Sequence, residues 1–473
     1  MTSTRAHESA GRESGRGQET AVEAVTRLRA THATGRTRPA SWRLEQLAAL
    51  ERLLKEGEPA IAAALEADLG RPANDTYLGD VAPTAAEARH ARKHLQRWMR
   101  PQRAGLPLSQ QPGKAWIEYQ PLGVAVIIGP WNYPFYLTLG PLVAAIAAGD
   151  CAVLKPSEHT PNAARVLGEL VRRHLDTDAF VVLEGGPEVT QEILEQGLDL
   201  AFFTGGPEIG KAVMATAAQH LTPVILELGG KCPIYVAEDA NIAVAARRIA
   251  WTKLLNSGQT CVAPDYVMVE RSVLAPFQRA LLDELRALSP NGDGGRRLPI
   301  VNSRHAARLR GLLEAHGGSV IAGGDIDVDA GRADLTVVLD PDVASPLMTE
   351  EIFGPILPLV PVDGLGAALE HIATGSKPLA ASVFTEDDAV ARRFRDGVSA
   401  GAVLTNHVAV HVLAPGLPFG GVGTSGMGAY HGRYGFEAFS HRSSHVSRPT
   451  GFDPRIVYPP YNRLTRRVIR ALF

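Results

Sequence analysis

Cysteine is scarce in this chain. Three occur in 473 residues, Cys151, Cys232 and Cys261, too few and too scattered for a disulfide framework or a zinc site. That usage fits a reducing, cytoplasmic setting. An excess of charge of either sign is also lacking: 48 Lys and Arg stand against 50 Asp and Glu, a net charge of −2, so no basic field draws in nucleic acid. No run of about 18 apolar residues is found, and no segment reads as a membrane-spanning helix. The first twenty residues lack the apolar stretch of a secretory leader. Their interspersed Arg and Glu residues read as a disordered extension. No internal repeat is visible. With 45% hydrophobic residues, the composition is that of a globular protein long enough for two or three domains.

Apolar residues recur with helical spacing over 42–70, and a second helix is expected over 84–99. The proline-rich segment 101–111 reads as linker. Strand patterns follow at 116–119 and 124–128. Helices and strands then alternate: helix 137–148, strand 151–154, helix 162–174, strand 180–183, a helix from 188, strand 200–203, helix 209–218 and strand 224–227. This predicts an α/β fold with a doubly wound parallel sheet that binds a dinucleotide at the carboxyl ends of its strands. After Gly229 the alternation restarts. The expected organisation is therefore a disordered extension over 1–20, a dinucleotide-binding domain over 21–228 with bridging strands about 112–126, a catalytic domain over 229–415, and a return segment, oligomerisation arm and tail over 416–473.

Two runs carry the chemistry. In Asn256-Ser257-Gly258-Gln259-Thr260-Cys261 a thiol sits in a polar, glycine-containing segment open to solvent and substrate. In Leu226-Glu227-Leu228-Gly229-Gly230-Lys231 one carboxylate sits among apolar neighbours. A cysteine to attack and a partly buried glutamate to act as base are the two halves of covalent catalysis. A cysteine is also a small buried hydrophobe in many proteins, so neither run decides alone.

Two glycine motifs mislead. Gly421-Val422-Gly423-Thr424-Ser425-Gly426 fits a dinucleotide fingerprint but follows no buried strand and opens no helix. Gly205 to Lys211 starts like a P-loop, yet Ala212 stands where a magnesium-binding Ser or Thr is required. That same segment suits a dinucleotide loop: Gly205 and Gly206 let backbone approach a pyrophosphate at a helix N-terminus. An ordinary strand–turn–helix corner would look alike. Lys155 and Glu158 follow a strand end, where they fit a surface ion pair at a helix start. Asn132, between Trp131 and Tyr133, is either a helix cap or an amide donor.

These runs occur in order with Gly129-Pro130-Trp131-Asn132-Tyr133-Pro134, Glu350-Glu351-Ile352-Phe353-Gly354-Pro355 and Leu417-Pro418-Phe419-Gly420-Gly421. From about Ala21 to Tyr458-Pro459-Pro460 the set resembles the aldehyde dehydrogenase superfamily. Ala263-Pro264-Asp265-Tyr266 and Gly426-Met427-Gly428-Ala429-Tyr430-His431-Gly432 look most like its class 3 branch, which acts on fatty and aromatic aldehydes.

The resemblance implies roles. Cys261 is the nucleophile, Glu227 the hydrolytic base, and Asn132 an oxyanion donor with the Cys261 backbone N–H. Trp131, Lys155, Glu158, Gly205, Gly206, Gly210, Glu351 and Phe353 fall to the cofactor, NAD preferred or NADP. Lys155 and Glu158 match ribose ligands, Glu351 matches the residue holding the nicotinamide ribose, and Phe353 a ring beside the nicotinamide. Family members often carry Ser or Asn where Gly206 stands, which leaves phosphate contacts here to backbone amides. Asn406 matches a position that orients the base or its water. His407 and His411 are given no catalytic role, and no metal is expected. The implied reaction oxidises a medium- or long-chain aliphatic or aromatic aldehyde to the acid. An acylating, coenzyme A-dependent enzyme and a catalytically silent relative are the alternatives. Tyr77, Tyr133 and Trp251 are expected as aromatic walls of a substrate funnel. A homodimer is expected through the strands about 116–126 and the segment 436–444. At the C-terminus Leu464, Val468, Ile469, Leu472 and Phe473 fall on one helical face and Arg463, Arg466, Arg467 and Arg470 on the other. That helix either packs on its own protein, frays, or makes weak peripheral contact with an anionic membrane.

Overall fold

The computed structural model describes residues 19–288 and 298–472. Most of the extension expected over 1–20 lies outside the described residues, as does Phe473. Thr20 is already structural: its hydroxyl accepts the backbone N–H of Glu23 at 3.3 Å, capping the helix Ala21–Ala33 while the Glu23 carboxylate bonds back.

Six strands form the first sheet, in the order Gly426–Met427, Val224–Leu228, Leu200–Gly205, Val124–Ile128, Cys151–Lys155, Phe180–Val182. All pairs are parallel except the Gly426–Met427 edge. The order reverses direction at Val124–Ile128, the first of the five parallel strands in the chain. That reversal is the crevice where doubly wound sheets bind dinucleotides. Every residue of Val124–Ile128 and Cys151–Lys155 is buried, which explains the uninterrupted apolar runs Val124–Ile128 and Cys151–Leu154. The strand Val124–Ile128, expected to help bridge subunits, belongs to this sheet. Its two parallel neighbours supply the pairing that an arm would otherwise provide.

The helix Tyr136–Ala148 is buried along its whole length and stops at Gly149, which takes the left-handed conformation at φ 91°. The long helix Ala40–Leu69 ends the same way at Gly70. It packs on the helix Pro161–His174 so closely that a Cβ on Gly57 would lie 2.7 Å from Leu170.

A second sheet of seven strands runs Ser319–Ala322, Thr336–Leu339, Ile356–Val362, Tyr266–Glu270, Pro233–Val236, Ala380–Phe384, Ala402–Thr405. Its pairs are parallel apart from Ser319–Ala322. The chain passes from the first sheet to the second through Gly229-Gly230, just after Glu227. A third, antiparallel sheet joins Gln102–Ala104, Lys114–Pro121 and Ser440–Ser447. The proline-rich segment expected to be linker thus contributes an edge strand: Gln102, Arg103 and Ala104 pair with Ile117, Trp116 and Ala115.

The helix Arg463–Leu472 has no fully buried residue, though Val468 and Ile469 are half-buried and it rests against the turn Arg455–Val457. Among the described residues, no helix is long and apolar enough to cross a membrane.

Candidate active site

Cys261 stands at the end of a tight loop. After the helix Ile242–Leu254, Asn256 and Ser257 take positive φ of 48° and 58°. Gly258 follows at φ 72°, where a Cβ would lie 2.4 Å from the Gly354 carbonyl. Only glycine fits that approach, and it locks the Cys261 loop against the Glu350–Pro355 run. The thiol is raised to about 12, by burial first and then by the carboxylates of Glu351 and Glu227. Opposing this, the backbone N–H groups of Cys261 and Val262 point at the sulfur and favour its thiolate. Cys232 is buried close by and donates its S–H to the Cys261 carbonyl at 3.3 Å.

Asn132 is buried, and its side-chain N–H donates to the Gln259 carbonyl at 3.0 Å. It does not cap the following helix. A side-chain amide has two hydrogens, so one remains for a second acceptor. Tyr133 reaches the same loop, its hydroxyl 2.8 Å from that of Thr260.

Glu227 lies in the Val224–Leu228 strand and is buried. Neither carboxylate oxygen has a hydrogen-bond partner, and burial alone pushes its pKa well above the ordinary value. Such a carboxyl is neutral at acidic pH and gains basicity as it loses solvent. Asn406 does not orient it. Its amide donates to the Thr385 carbonyl at 2.8 Å and accepts the Thr385 N–H at 3.0 Å, fastening two adjacent strand ends. His407 bonds the backbone of Val408. His411 stacks on Phe419, its ring centroid 5.6 Å away, and is lowered to about 4 by burial.

The residues assigned to the cofactor surround the crevice of the first sheet. Gly205 ends its strand and Gly206 caps the helix Pro207–Ala218. Gly206 is exposed and has open space where a side chain would stand. The free N–H groups of that helix therefore face an unobstructed position, which suits a pyrophosphate. Gly210 differs: it is buried, and a Cβ would lie 2.7 Å from Leu228. It packs helix on sheet and is not positioned as a ligand. Lys211, the P-loop mimic, pairs on the surface with Glu208 at 2.7 Å. Lys155 is buried, with its ammonium 3.9 Å from Glu158, whose side chain is 40% exposed. Burial lowers the Lys155 pKa and Glu158 works against that.

Trp131 meets Phe353 edge to face at 5.4 Å. Phe353 holds φ at 48°. The Glu351 carboxylate lies against the Gly229-Gly230 turn, where a Cβ on Gly229 would come within 2.0 Å. Burial, then Asp265, raises it to about 8, while the Gly230 N–H holds it down. Its segment is pinned by Lys231, which pairs with Asp265 and donates to the Leu347 and Glu350 carbonyls at 2.9 Å each. Arg308 donates to the Glu351 carbonyl at 3.0 Å. Glycine approach, an open helix N-terminus and two carboxylates at a strand-end crevice together fit a dinucleotide.

A cavity of about 150 Å³ leads to Cys261. Its walls include Leu78, Tyr133, Leu137, Trp251, Val262, Val410, Leu413 and Phe419. Tyr133 and Trp251 thus stand where expected. Tyr77 does not. It is 46% exposed and borders a separate hollow with Ala48 and Arg89, because one step along a helical turn rotates it away from Leu78. Arg71, Asp80 and Tyr136 stand outside the sequence motifs, and His431 lies in one that gives it no role. Tyr136 donates to the Val412 carbonyl at 2.9 Å and lies 3.0 Å from His431 Nε2. Glu87 bonds the Gly432 N–H at 3.1 Å and is raised to about 7 by burial. Only the coming together of helices far apart in sequence assembles these groups.

Comparison with known proteins agrees with this geometry. A profile described as Aldehyde dehydrogenase family matches residues 5–444. The chain is 41% identical to bovine aldehyde dehydrogenase family 3 member B1 over 458 residues, covering 95% of this chain and 96% of that protein. It is 42% identical to the dog aldehyde dehydrogenase described as dimeric and NADP-preferring, over 93% of this chain and 97% of that one. The structure described as the substrate-bound state of Staphylococcus aureus AldH superposes with a TM-score of 0.90 at 38% identity, covering 96% of this chain and 99% of that chain. A doubly wound crevice, a cavity ending at one cysteine and this extent of likeness lead to one conclusion: the chain belongs to the aldehyde dehydrogenase family, on its class 3-like branch, and is an NAD(P)-dependent aldehyde dehydrogenase.

Proposed function

We propose that this enzyme oxidises medium- or long-chain aliphatic or aromatic aldehydes to carboxylic acids through a thioester on Cys261. The observation that carries this reading is the mostly apolar cavity ending at Cys261, with an amide donor and an unpartnered buried carboxylate nearby. The Cys261 thiolate attacks the aldehyde carbon. The remaining Asn132 hydrogen and the Cys261 N–H stabilise the resulting oxyanion, roughly 3 kcal/mol per donor in comparable sites. NAD(P), when bound, supplies the hydride acceptor that converts this adduct to the thioester. Glu227 then takes a proton from a water that attacks the thioester, and the acid leaves. Lys155, Glu158, Gly205, Gly206, Glu351 and Phe353 would hold the dinucleotide, with Trp131 packing against Phe353.

Either dinucleotide fits, with NAD preferred. The Glu158 carboxylate repels a 2′-phosphate and Lys155 offsets part of that repulsion. The division at 228/229 places the dinucleotide-binding domain before Glu227's exit turn and the catalytic domain after it, so the active site lies between them. The antiparallel arm supports a homodimer, since its exposed Ser440–Ser447 edge is best covered by a partner. The basic C-terminal helix, which has no fully buried residue, supports weak peripheral contact with an anionic membrane by an otherwise cytoplasmic protein. Retention of Glu227 argues against a coenzyme A-dependent reaction, and the presence of Cys261, Glu227 and Asn132 together argues against a silent relative.

The test is NADH and NADPH formation across aliphatic and aromatic aldehydes, with and without coenzyme A. Rising kcat/KM with chain length or aromatic bulk, independent of coenzyme A, is expected. Preference for short polar aldehydes, or dependence on coenzyme A, would contradict it.

A further inference from the structure

Arg71 and Asp80 form an ion pair at 2.6 Å whose side chains are 2% and 0% exposed. Such a pair is weak evidence of stability, because burying both charges offsets much of their attraction. Its contacts point elsewhere. Asp80 Oδ1 accepts the N–H groups of Phe135 and Tyr136 at 3.0 and 2.9 Å. These are N–H groups at the start of the helix Tyr136–Ala148, whose N-cap residue Phe135 supplies no side-chain cap. Arg71 uses its other arm to donate to the main-chain carbonyl of Asn132. Asn256 donates to that same carbonyl from the nucleophile's loop at 3.1 Å, and to the Gln259 carbonyl at 3.2 Å. The guanidinium of Arg71 also lies over the Tyr133 ring at 4.6 Å. The Asn132 peptide is therefore gripped from both sides, and its side-chain amide has one hydrogen already committed to Gln259.

We propose that Arg71, Asp80 and Asn256 are positioning residues. By fixing the Asn132 carbonyl they direct its remaining amide hydrogen at the aldehyde oxygen on Cys261; this rests on the oxyanion role given to Asn132 above. Without the two donors the 132 peptide is free to turn, and the amide with it. An oxyanion donor displaced by a fraction of an ångström loses most of its value, because its effect depends on being oriented before charge develops.

The experiment is a pair of double-mutant cycles on the full enzyme. Arg71→Lys keeps the charge but loses the second arm of the fork. Asn256→Gly removes the amide and tolerates the positive φ. Each is made alone and with Asn132→Ala. The readouts are the rate constant of the first-turnover NADH burst at saturating cofactor, the KM for aldehyde and the thermal midpoint. Each single variant should slow the burst about tenfold to a hundredfold with little change in KM. In the Asn132→Ala background neither should slow it more than about twofold, since the group they position is gone. Full additivity would overturn the positioning role while leaving Asn132 as a donor. An unchanged burst in either single variant would overturn it too. If Asn132→Ala alone left the burst unchanged, the oxyanion reading and this inference would fall together. Should Arg71→Lys fail to fold, Asn256→Gly carries the test, because it disturbs no buried charge.

Discussion

Gly426 stands directly opposite Glu227 in a short antiparallel pair, with Met427 opposite Leu226. The strand bearing the proposed base is thus closed by a segment from the far end of the chain. Gly426 has φ 145°, and a Cβ there would lie 2.2 Å from the Leu226 carbonyl oxygen. The glycine run that imitates a dinucleotide fingerprint exists for this close backbone approach. Gly426→Ala should therefore destabilise the fold by about 2 kcal/mol or more and slow deacylation by shifting the Glu227 strand. Urea unfolding with a steady-state assay checks both; a variant of wild-type stability would show that the edge strand yields freely.

Cys261 offers a pH test. Burial and two carboxylates raise its thiol to about 12, so the thiolate fraction should climb about tenfold per pH unit below that point. Iodoacetamide labelling of the cofactor-free enzyme at Cys261 should rise with that slope from about pH 7 to about pH 10. A rate that levels off below about pH 9 would mean the two backbone N–H donors outweigh burial.

Much of the first sheet was legible in the sequence, since its strands are buried on both faces and read as apolar runs between glycine turns. Helix ends such as Gly149 were marked by the residue itself. The arm was less legible. Gln102–Ala104 lies in a proline-rich stretch, and its pairing with Ala115, Trp116 and Ile117 is a tertiary event. Cys261, Glu227 and Asn132 stood out because their neighbours are unusual for their chemistry. Arg71 and Asp80 did not, because a charged residue beside a helix reads as solvated surface until packing buries it. Asn406 and Gly210 are ambiguous for another reason. Their positions in the motifs match ligands or orienting groups, while their contacts are those of framework.

The arm and the tail make separable predictions. Light scattering should report a dimer at micromolar concentration, and deletion of the Ser440–Ser447 strand should abolish it; a monomeric full chain would contradict the arm's role. Co-sedimentation with anionic vesicles should fall when the chain is ended at Asn462, because the helix Arg463–Leu472 is basic, amphipathic and has no fully buried residue. Equal sedimentation of the two chains would remove the membrane contact.

The central claim is a thioester on Cys261 that Glu227 causes to be hydrolysed. Glu227→Gln should separate the two halves. Mixed with aldehyde and NAD, it should release a burst of about one NADH per active site and then turn over slowly. Mass spectrometry of the quenched protein should find the acyl group on the peptide bearing Cys261. A steady-state rate equal to wild type, or a burst with no acyl group on Cys261, would contradict the account.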